Sequence, residues 1–428
     1  MTAGPASPAP SAADAARRIL ADLAPQPSLR VPLDDALGSV LAETVASPIA
    51  LPPWTSSAMD GYACRAEDVR GATRARPATL RVVAAIAAGG AAPARPLERG
   101  ECARIFTGAP VPPGADGVVR QEDTEHADDA AEVRILDDRD AGANLRPAGQ
   151  DLERGAVALE AGAVLTPARV ALLAALAVAH PVVHRRPRVG ILTTGDELAG
   201  LAHADEILAG RRIADSNAHA LRAQVAEAGG EPVPLGRAAD DPASVRAHVA
   251  RAHEEDCDLL LTVGGVSVGA HDHVRAVMES LGAELRFWRA RIRPGGPLAF
   301  GILGGRPWLG LPGNPVSAMV TFELFARPAI RRLAGHALPF RRTVPVTVGE
   351  PVRSGPKLQH FLRVTLEERK NGGLLARLTG AQGSNLLTSM ARADALLLVP
   401  EGMHEVPAGT ALPALRLDEA RHQAEPPY

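Results

Sequence analysis

Between Arg186 and His336 the chain repeats one rhythm: an apolar run, a glycine turn, then a helical stretch. PRVGILTT leads to Gly195-Asp196-Glu197, CDLLLTV to Gly264-Gly265-Val266-Ser267-Val268-Gly269, and PWLGL to Pro312-Gly313-Asn314-Pro315. Helical patterns follow these turns through Leu281 and Leu333. Two more lie between them, SNAHALRAQVAEAG and PASVRAHVARAHEED, the latter opened by Asp241-Pro242. Strands alternating with helices of this length predict a mostly parallel, doubly wound α/β sheet. Ligands of such sheets gather where strands end, and the free N–H groups of each following helix start favour anions, phosphate above all. Three such turns in one domain predict a phosphate-bearing ligand, with Gly195, Gly264, Gly265, Ser267, Gly313 and Asn314 around it. There is no P-loop and no GxGxxG with a ribose-binding acid, which argues against ordinary mononucleotide and NAD sites.

The rest of a 428-residue chain needs further cores. Residues 12–47 read as helical, with AADAARRILADL placing Ile19, Leu20 and Leu23 on one face and a second short helix over Leu33–Leu41. Residues 48–151 are rich in Gly, Pro and short β-like runs, so they read as a small β domain. Helical pattern returns over 152–185, so one helical domain is expected to be split by the inserted β domain. The α/β domain spans 186–336, and a C-terminal β barrel is expected over 337–418 from FRRTVPVTVG, HFLRVTLEE, LLARLTG and ADALLLVP. Residues 1–11 and 419–428 read as tails, the first lacking an apolar export core.

Composition narrows the function classes. A formal net charge of −3 gives no basic stripe for nucleic acid. Only Lys357 and Lys370 are lysines, so cationic roles fall to arginine. Cys64, Cys102 and Cys257 are far apart and suggest neither a zinc site nor a disulfide framework, which points to a reducing cytoplasm. Val164–Val183 is apolar, but Pro167, Arg169, His180 and Pro181 punctuate it, so a buried helix is expected and not a membrane span.

Acidic residues follow the glycine turns: Asp196 and Glu197, Asp240 and Asp241, and Asp272. Carboxylates at several strand ends facing a polyphosphate suit Mg²⁺, which takes a few carboxylates plus phosphate oxygens. Equally, Asp241 and Asp272 suit helix N-caps and Asp196 suits its own turn. In WRARIRPGGP, a strand would align Arg289, Arg291 and Arg293 on one face, either for an oxyanion or simply solvated. In the β domain, LPPWTSSAMDGYA and FTGAPVPPGAD are stiff, turn-rich stretches in which Asp60 reads as a turn residue.

Together SAMDGYA, TGAPVPPGAD, NLRPAGQD, TTGDEL, GGVSVGAHD, RPGGP, LPGNPVSA and GSNLLTSMARADALL resemble the molybdopterin molybdenumtransferase family, whose eukaryotic relative is the C-terminal region of gephyrin. The resemblance runs from about Ser57 to Leu398. It implies insertion of molybdate into adenylylated molybdopterin with release of AMP. The implied architecture is a split helical domain, an inserted β domain, a molybdopterin-binding α/β domain and a C-terminal barrel. It also implies homodimers that share each active site between subunits, with the molybdopterin adenylyltransferase and molybdoenzyme chaperones as further partners. Asp60, Thr107 and Glu197 would be catalytic, Glu197, Asp240 and Asp272 would hold Mg²⁺, and Asp151, Arg291, Arg293, Arg363 and Ser384 would contact substrate. Three positions depart from the family pattern: Gly296 stands where KPGKP has its second Lys, Val263 replaces a hydroxyl residue, and Ala270 replaces a Glu. The rival readings are a molybdopterin adenylyltransferase, a non-catalytic pterin-binding scaffold and a tungsten-inserting relative.

Overall fold

The computed structural model describes residues 9–125, 131–265, 273–369 and 372–417. They fall into two compact units. One comprises the chain up to Leu29, Gly38–Ala42 and the chain from Val182 onward; the other comprises Arg30–Leu37 and Glu43–Pro181.

Among the described residues, the larger unit is built on a six-stranded sheet in the order Glu231–Ala238, Arg188–Thr194, Leu259–Val263, Arg306–Leu311, Pro297–Leu303, Glu284–Arg289. The first four strands are parallel and the last two extend the sheet antiparallel. Side chains alternate between faces, as the pleat requires. Val189, Ile191, Leu259, Leu261, Leu309 and Leu311 join one core, while Leu192, Leu260 and Trp308 join the other. Helices Ser216–Glu227 and Pro315–Leu333 cover the first face. Helices Pro242–Glu254 and His273–Ser280 cover the second, so the sheet is doubly wound. Helix starts are fixed by their caps: Asp215 accepts the Ala218 N–H at 3.1 Å, and Asp241 the Ser244 N–H at 2.9 Å ahead of Pro242. Within Pro315–Leu333, Phe322–Ala326 form a π turn.

The same unit carries the expected barrel. Strand Gln359–Glu368 pairs with both Leu374–Leu378 and Ala395–Val399, closing five strands with Thr343–Val348 and Ala411–Arg416. A two-residue strand, Ile292–Arg293, leaves the α/β sheet and pairs parallel with Gln359 and His360 at the barrel's edge. Phe361, Leu396 and Leu415 of the barrel enter the α/β core.

Among the described residues the smaller unit is built on a six-stranded sheet, in the order Gly117–Arg120, Gly61–Cys64, Glu101–Ile105, Ala78–Ile86, Glu132–Ile135, Thr124–Glu125, with two further two-stranded pairs beside it in sequence. Its helix Pro167–Ala175 is short, with Leu173 buried. No helix among the described residues is long and apolar enough to cross a membrane.

Two local expectations change. Leu33–Leu41 is not a helix: only Leu33–Asp35 makes a 3₁₀ turn, Gly38 sits at φ +77°, and Leu41 bridges Val183. Helix Ala12–Ala21, expected in a split helical domain, instead sends Ala15, Ala16 and Ile19, with Leu23 beyond it, into the α/β core beside Phe325, Ile330 and Leu333. Its amphipathic face announced burial but could not name the partner.

Candidate functional site

Three parallel strands of the larger unit end at one cleft of about 1130 Å³. Thr193, Thr194, Gly195 and Glu197 leave the first strand, Gly264 and Gly265 the second, and Pro312, Gly313 and Asn314 the third. Close approach requires glycine at one of these turns: a Cβ on Gly264 would stand 2.7 Å from Thr194 Oγ1, whereas one on Gly313 would meet the Gly264 Cα at an ordinary 3.5 Å. Gly195, Gly264 and Gly265 also hold positive φ, which other residues rarely adopt. The Gly195 and Gly264 N–H groups already donate to the Ala238 and Leu311 carbonyls, at 3.4 and 3.1 Å, so the donors left for an anion are those of Gly265, Gly313 and the first turn of helix Pro315–Leu333, where the Asn314 side chain makes no cap bond.

Polar side chains hold the strand ends together. Thr193 Oγ1 donates to Asp215 Oδ2 at 2.6 Å, and Asn217 Nδ2 donates to the Gly313 carbonyl at 2.7 Å. The opposite wall is the barrel loop Gln382–Leu387, tied to the cleft helix by Val316 N–H donating to the Ser384 carbonyl at 3.1 Å. Arg363 does not line the cleft but holds this wall from behind. It is wholly buried, with Nε donating to Ser389 Oγ at 2.9 Å and Nη2 to the Gly383 carbonyl at 3.0 Å. Among the described residues it has no carboxylate partner, and burial pushes its guanidinium below the usual arginine range.

Glu197 and Asp240 both face the cleft. Asp196 and Asp240 each accept the other's backbone N–H at 3.2 Å, so Asp196 ties two strand-end loops together and does not hold its own turn, while Asp241 serves its helix cap. Asp272, Ser267 and Ala270 lie outside the described residues. Among those described, no cluster of three or more His, Cys, Asp or Glu forms a metal cage. Two carboxylate-bearing strand ends beside anion donors nevertheless fit a hard cation shared with phosphate oxygens.

The predicted row of three arginines is broken. Ala290 N–H turns to the Gly296 carbonyl at 3.0 Å and Ile292 N–H to the Ala290 carbonyl at 2.9 Å, so the strand ends at Arg289. Arg291 is drawn away, its Nε bonded to Glu401 at 3.0 Å and its Nη1 to the Ala9 carbonyl at 2.7 Å. Arg293 alone of the three lines the cleft, and it is the only basic side chain among the described lining residues.

The smaller unit brings Asp60 and Thr107 together. Thr107 donates both its backbone N–H and its hydroxyl to Asp60 Oδ1, each at 2.7 Å. The backbone bond first and the hydroxyl second hold this exposed carboxyl below the usual aspartate range. Gly61 lets the strand pass Val119, whose carbonyl oxygen would lie 1.9 Å from a Cβ there. Asp151 is exposed on a separate paired segment, its N–H donating to the Leu51 carbonyl at 3.0 Å.

Family models match in chain order: the MoeA N-terminal region (domain I and II) over residues 11–177, a probable molybdopterin binding domain over 190–332, and the MoeA C-terminal region (domain IV) over 345–417. A molybdopterin molybdenumtransferase of Nostoc sp. is 36% identical over 96% of this chain and 95% of its own length. The chain belongs to the molybdopterin molybdenumtransferase family. Molybdopterin molybdenumtransferase 2 of Mycobacterium tuberculosis is 37% identical over 90% of this chain and 94% of its own. The solved molybdopterin biosynthesis moea protein of Pyrococcus horikosii superposes with a TM-score of 0.81 at 30% identity, covering 96% of this chain and 99% of that one. Against this family background the cleft also shows what the sequence reading passed over: Thr193, Asp215, Asn217 and Gln382. Asp215-Ser216-Asn217 carried one signal, a polar triplet where a helix begins.

Proposed function

We propose that this chain transfers molybdenum to adenylylated molybdopterin, giving molybdenum cofactor and AMP. The observation that carries the reading is the cleft itself, where three glycine-ended parallel strands, one arginine and the carboxylates of Glu197, Asp215 and Asp240 converge. The N–H groups of Gly265, Gly313 and the first turn of helix Pro315–Leu333 bind the phosphates, and Arg293 binds the molybdate oxyanion by charge-assisted hydrogen bonds. Glu197 and Asp240, with Asp272, would hold Mg²⁺, which when bound supplies charge neutralisation at the phosphoanhydride. Ser384, Gln382 and Asn314 orient the substrate against the barrel wall, which Arg363 keeps in place. Asp60 is ionised at neutral pH and offers its open oxygen Oδ2 to a proton donor; beside a dianionic molybdate it would repel, so it acts as an acceptor and not as the oxyanion's ligand.

In this reading the Asp60–Thr107 pair, with Asp151 beyond it, completes the cleft of a second copy, making the active unit a homodimer in the cytoplasm. Hand-over from a molybdopterin adenylyltransferase and onward to molybdoenzyme chaperones belongs to the same proposal. The deciding experiment is molybdate-dependent release of AMP from adenylylated molybdopterin by the purified chain with Mg²⁺. Release without molybdate, or adenylylation of molybdopterin from Mg-ATP by this chain alone, would overturn it.

A further inference from the structure

Among the described residues only three aromatic side chains are exposed: Trp54, Phe106 and Phe340. Two of the three sit in the turn that carries Thr107, Phe106 just before it and Trp54 bonded to the Gly108 carbonyl just after it, in a chain with only 3% aromatic residues. Trp54 is 46% exposed and Phe106 36%. Single exposed apolar residues are ordinary. Two large rings held at one polar pair are not explained that way.

Both rings are fixed. The segment Thr55–Ser57 and the turn Phe106–Val111 are zipped together: Ser57 N–H donates to the Ala109 carbonyl at 3.0 Å, Gly108 N–H to the Ser57 carbonyl at 2.9 Å, and Val111 N–H to the Thr55 carbonyl at 2.9 Å. Pro52, Pro53, Pro110 and Pro112 stiffen the two stretches further. Trp54 Nε1–H donates to the Gly108 carbonyl at 3.3 Å, and the Arg104 guanidinium lies 5.6 Å from the Phe106 ring centre. The rings therefore lose little freedom on meeting a ligand. In the same loops, Asp60 Oδ1 is occupied twice by Thr107, while among the described residues Oδ2 accepts no hydrogen bond. A flat face next to an ionised acceptor is the complement of a flat ring with a donor edge.

We propose that Trp54 and Phe106 form a stacking platform for a planar nitrogen heterocycle bearing an amino group, its N–H edge directed to Asp60 Oδ2. This deepens the function proposed above, since adenylylated molybdopterin carries two such ring systems, adenine and the pterin. The platform contributes affinity through the ring and not through phosphate, and it selects the ring by shape plus a donor.

The test titrates the full-length chain with AMP, with pterin-6-carboxylate, and with ribose 5-phosphate, following heat and tryptophan emission. At least one ring-bearing ligand binds and quenches emission, and Trp54→Phe abolishes that quench while keeping affinity within about threefold. Trp54→Ala and Phe106→Ala each weaken the same ligand by about tenfold or more, the range expected for ring stacking. Ribose 5-phosphate is unaffected in all variants. Quenching by AMP alone assigns the platform to adenine, and by pterin-6-carboxylate alone to the pterin. Unchanged affinity for both rings in the two alanine variants, or no ring binding by the wild type, overturns the proposal. So does a sedimentation shift in Trp54→Ala with ring affinity intact, which would make the patch a subunit contact. Wild-type AMP release, measured separately, keeps the two proposals apart: normal release with no ring effect refutes only the platform, and a ring effect without release refutes only the transfer reaction.

Discussion

Gly295 and Gly296 are neighbours in the RPGGP turn, yet only the first is demanded by the backbone. Gly295 has φ +92°, and a Cβ there would stand 2.4 Å from Thr321 Cγ2. Gly296 is not in the left-handed region, and its nearest contact would be the Ile292 carbonyl oxygen at 3.3 Å. Gly295→Ala therefore carries about 1–3 kcal/mol of backbone strain. To that it adds about 1–3 kcal/mol for forcing a methyl into packed space. Together these give about 2–6 kcal/mol, a large share of a typical domain's stability of about 5–15 kcal/mol. Gly296→Ala should cost less than about 1 kcal/mol. The clash can be isolated. Thr321→Ser removes Cγ2 but keeps the hydroxyl bonds to the Ser317 carbonyl at 2.7 Å and the Ala318 carbonyl at 3.1 Å. In the double variant the packing cost should vanish while the strain stays, a coupling of about 1–3 kcal/mol. Urea and thermal unfolding of the wild type and the four variants measure this, with the KM for molybdate as a second reading because Arg293 opens the same turn. Equal stability of the two alanine variants, or no coupling with Thr321→Ser, would refute the reasoning.

Four further outcomes follow from the geometry. Gly296→Lys adds a cation beside the turn and should lower the KM for molybdate severalfold, an effect that fades as salt rises; an unchanged KM would mean the side chain does not reach the oxyanion. The Asp60 carboxyl is held low by Thr107, so it stays ionised well into acid; Thr107→Val removes the hydroxyl bond and should move the acid limb of the pH–rate profile to higher pH, while Asp60→Asn should abolish that limb along with most activity. His336 is buried, and burial foremost lowers its pKa from 6.5 to about 4. Because the unfolded chain takes up that proton first, stability should fall as pH drops from about 6.5 towards 4, and His336→Asn should flatten the loss in denaturant titrations. Burial pushes the Cys64 thiol up to about 12, the Cys257 thiol to about 11 and Cys102 higher still, so the native protein at pH 8 should resist a disulfide reagent that labels all three once it is unfolded.

Local chemistry made much of the fold legible. Gly195 and Gly264 mark strand ends because their positive φ suits glycine, and Asp241-Pro242 starts its helix as the cap rules require. Where partners are distant the reading failed. The strand Glu231–Ala238 was not foreseen, since Pro232, Pro234 and Gly236 disguise it; at the sheet's edge a missing N–H is tolerated. Arg291 looked like Arg293 because their spacing is local, while Glu401, which claims Arg291, lies 110 residues away. Asp60 read as a turn residue, and it is one, but the hydrogen bonds that tune its carboxyl come from Thr107, 47 positions on. Asn217 was invisible for the same reason: its partner is the carbonyl of Gly313.

The pairing of Ile292–Arg293 with Gln359–His360 has a practical corollary. Sequence suggests cutting between the α/β domain and the barrel near residue 337, where the chain crosses from one to the other. Hydrogen bonding draws a different border, because two residues upstream of that cut already belong to the barrel's ladder. A fragment beginning at 337 would bare the edge of the strand at 359–360 and strand Phe361, Leu396 and Leu415 in water. A fragment ending there would leave Arg293 without the register that aims it. Excision would thus displace the cleft's arginine without touching a cleft residue of the α/β sheet, so the barrel is better regarded as the rigid mount of one arginine than as an appended module.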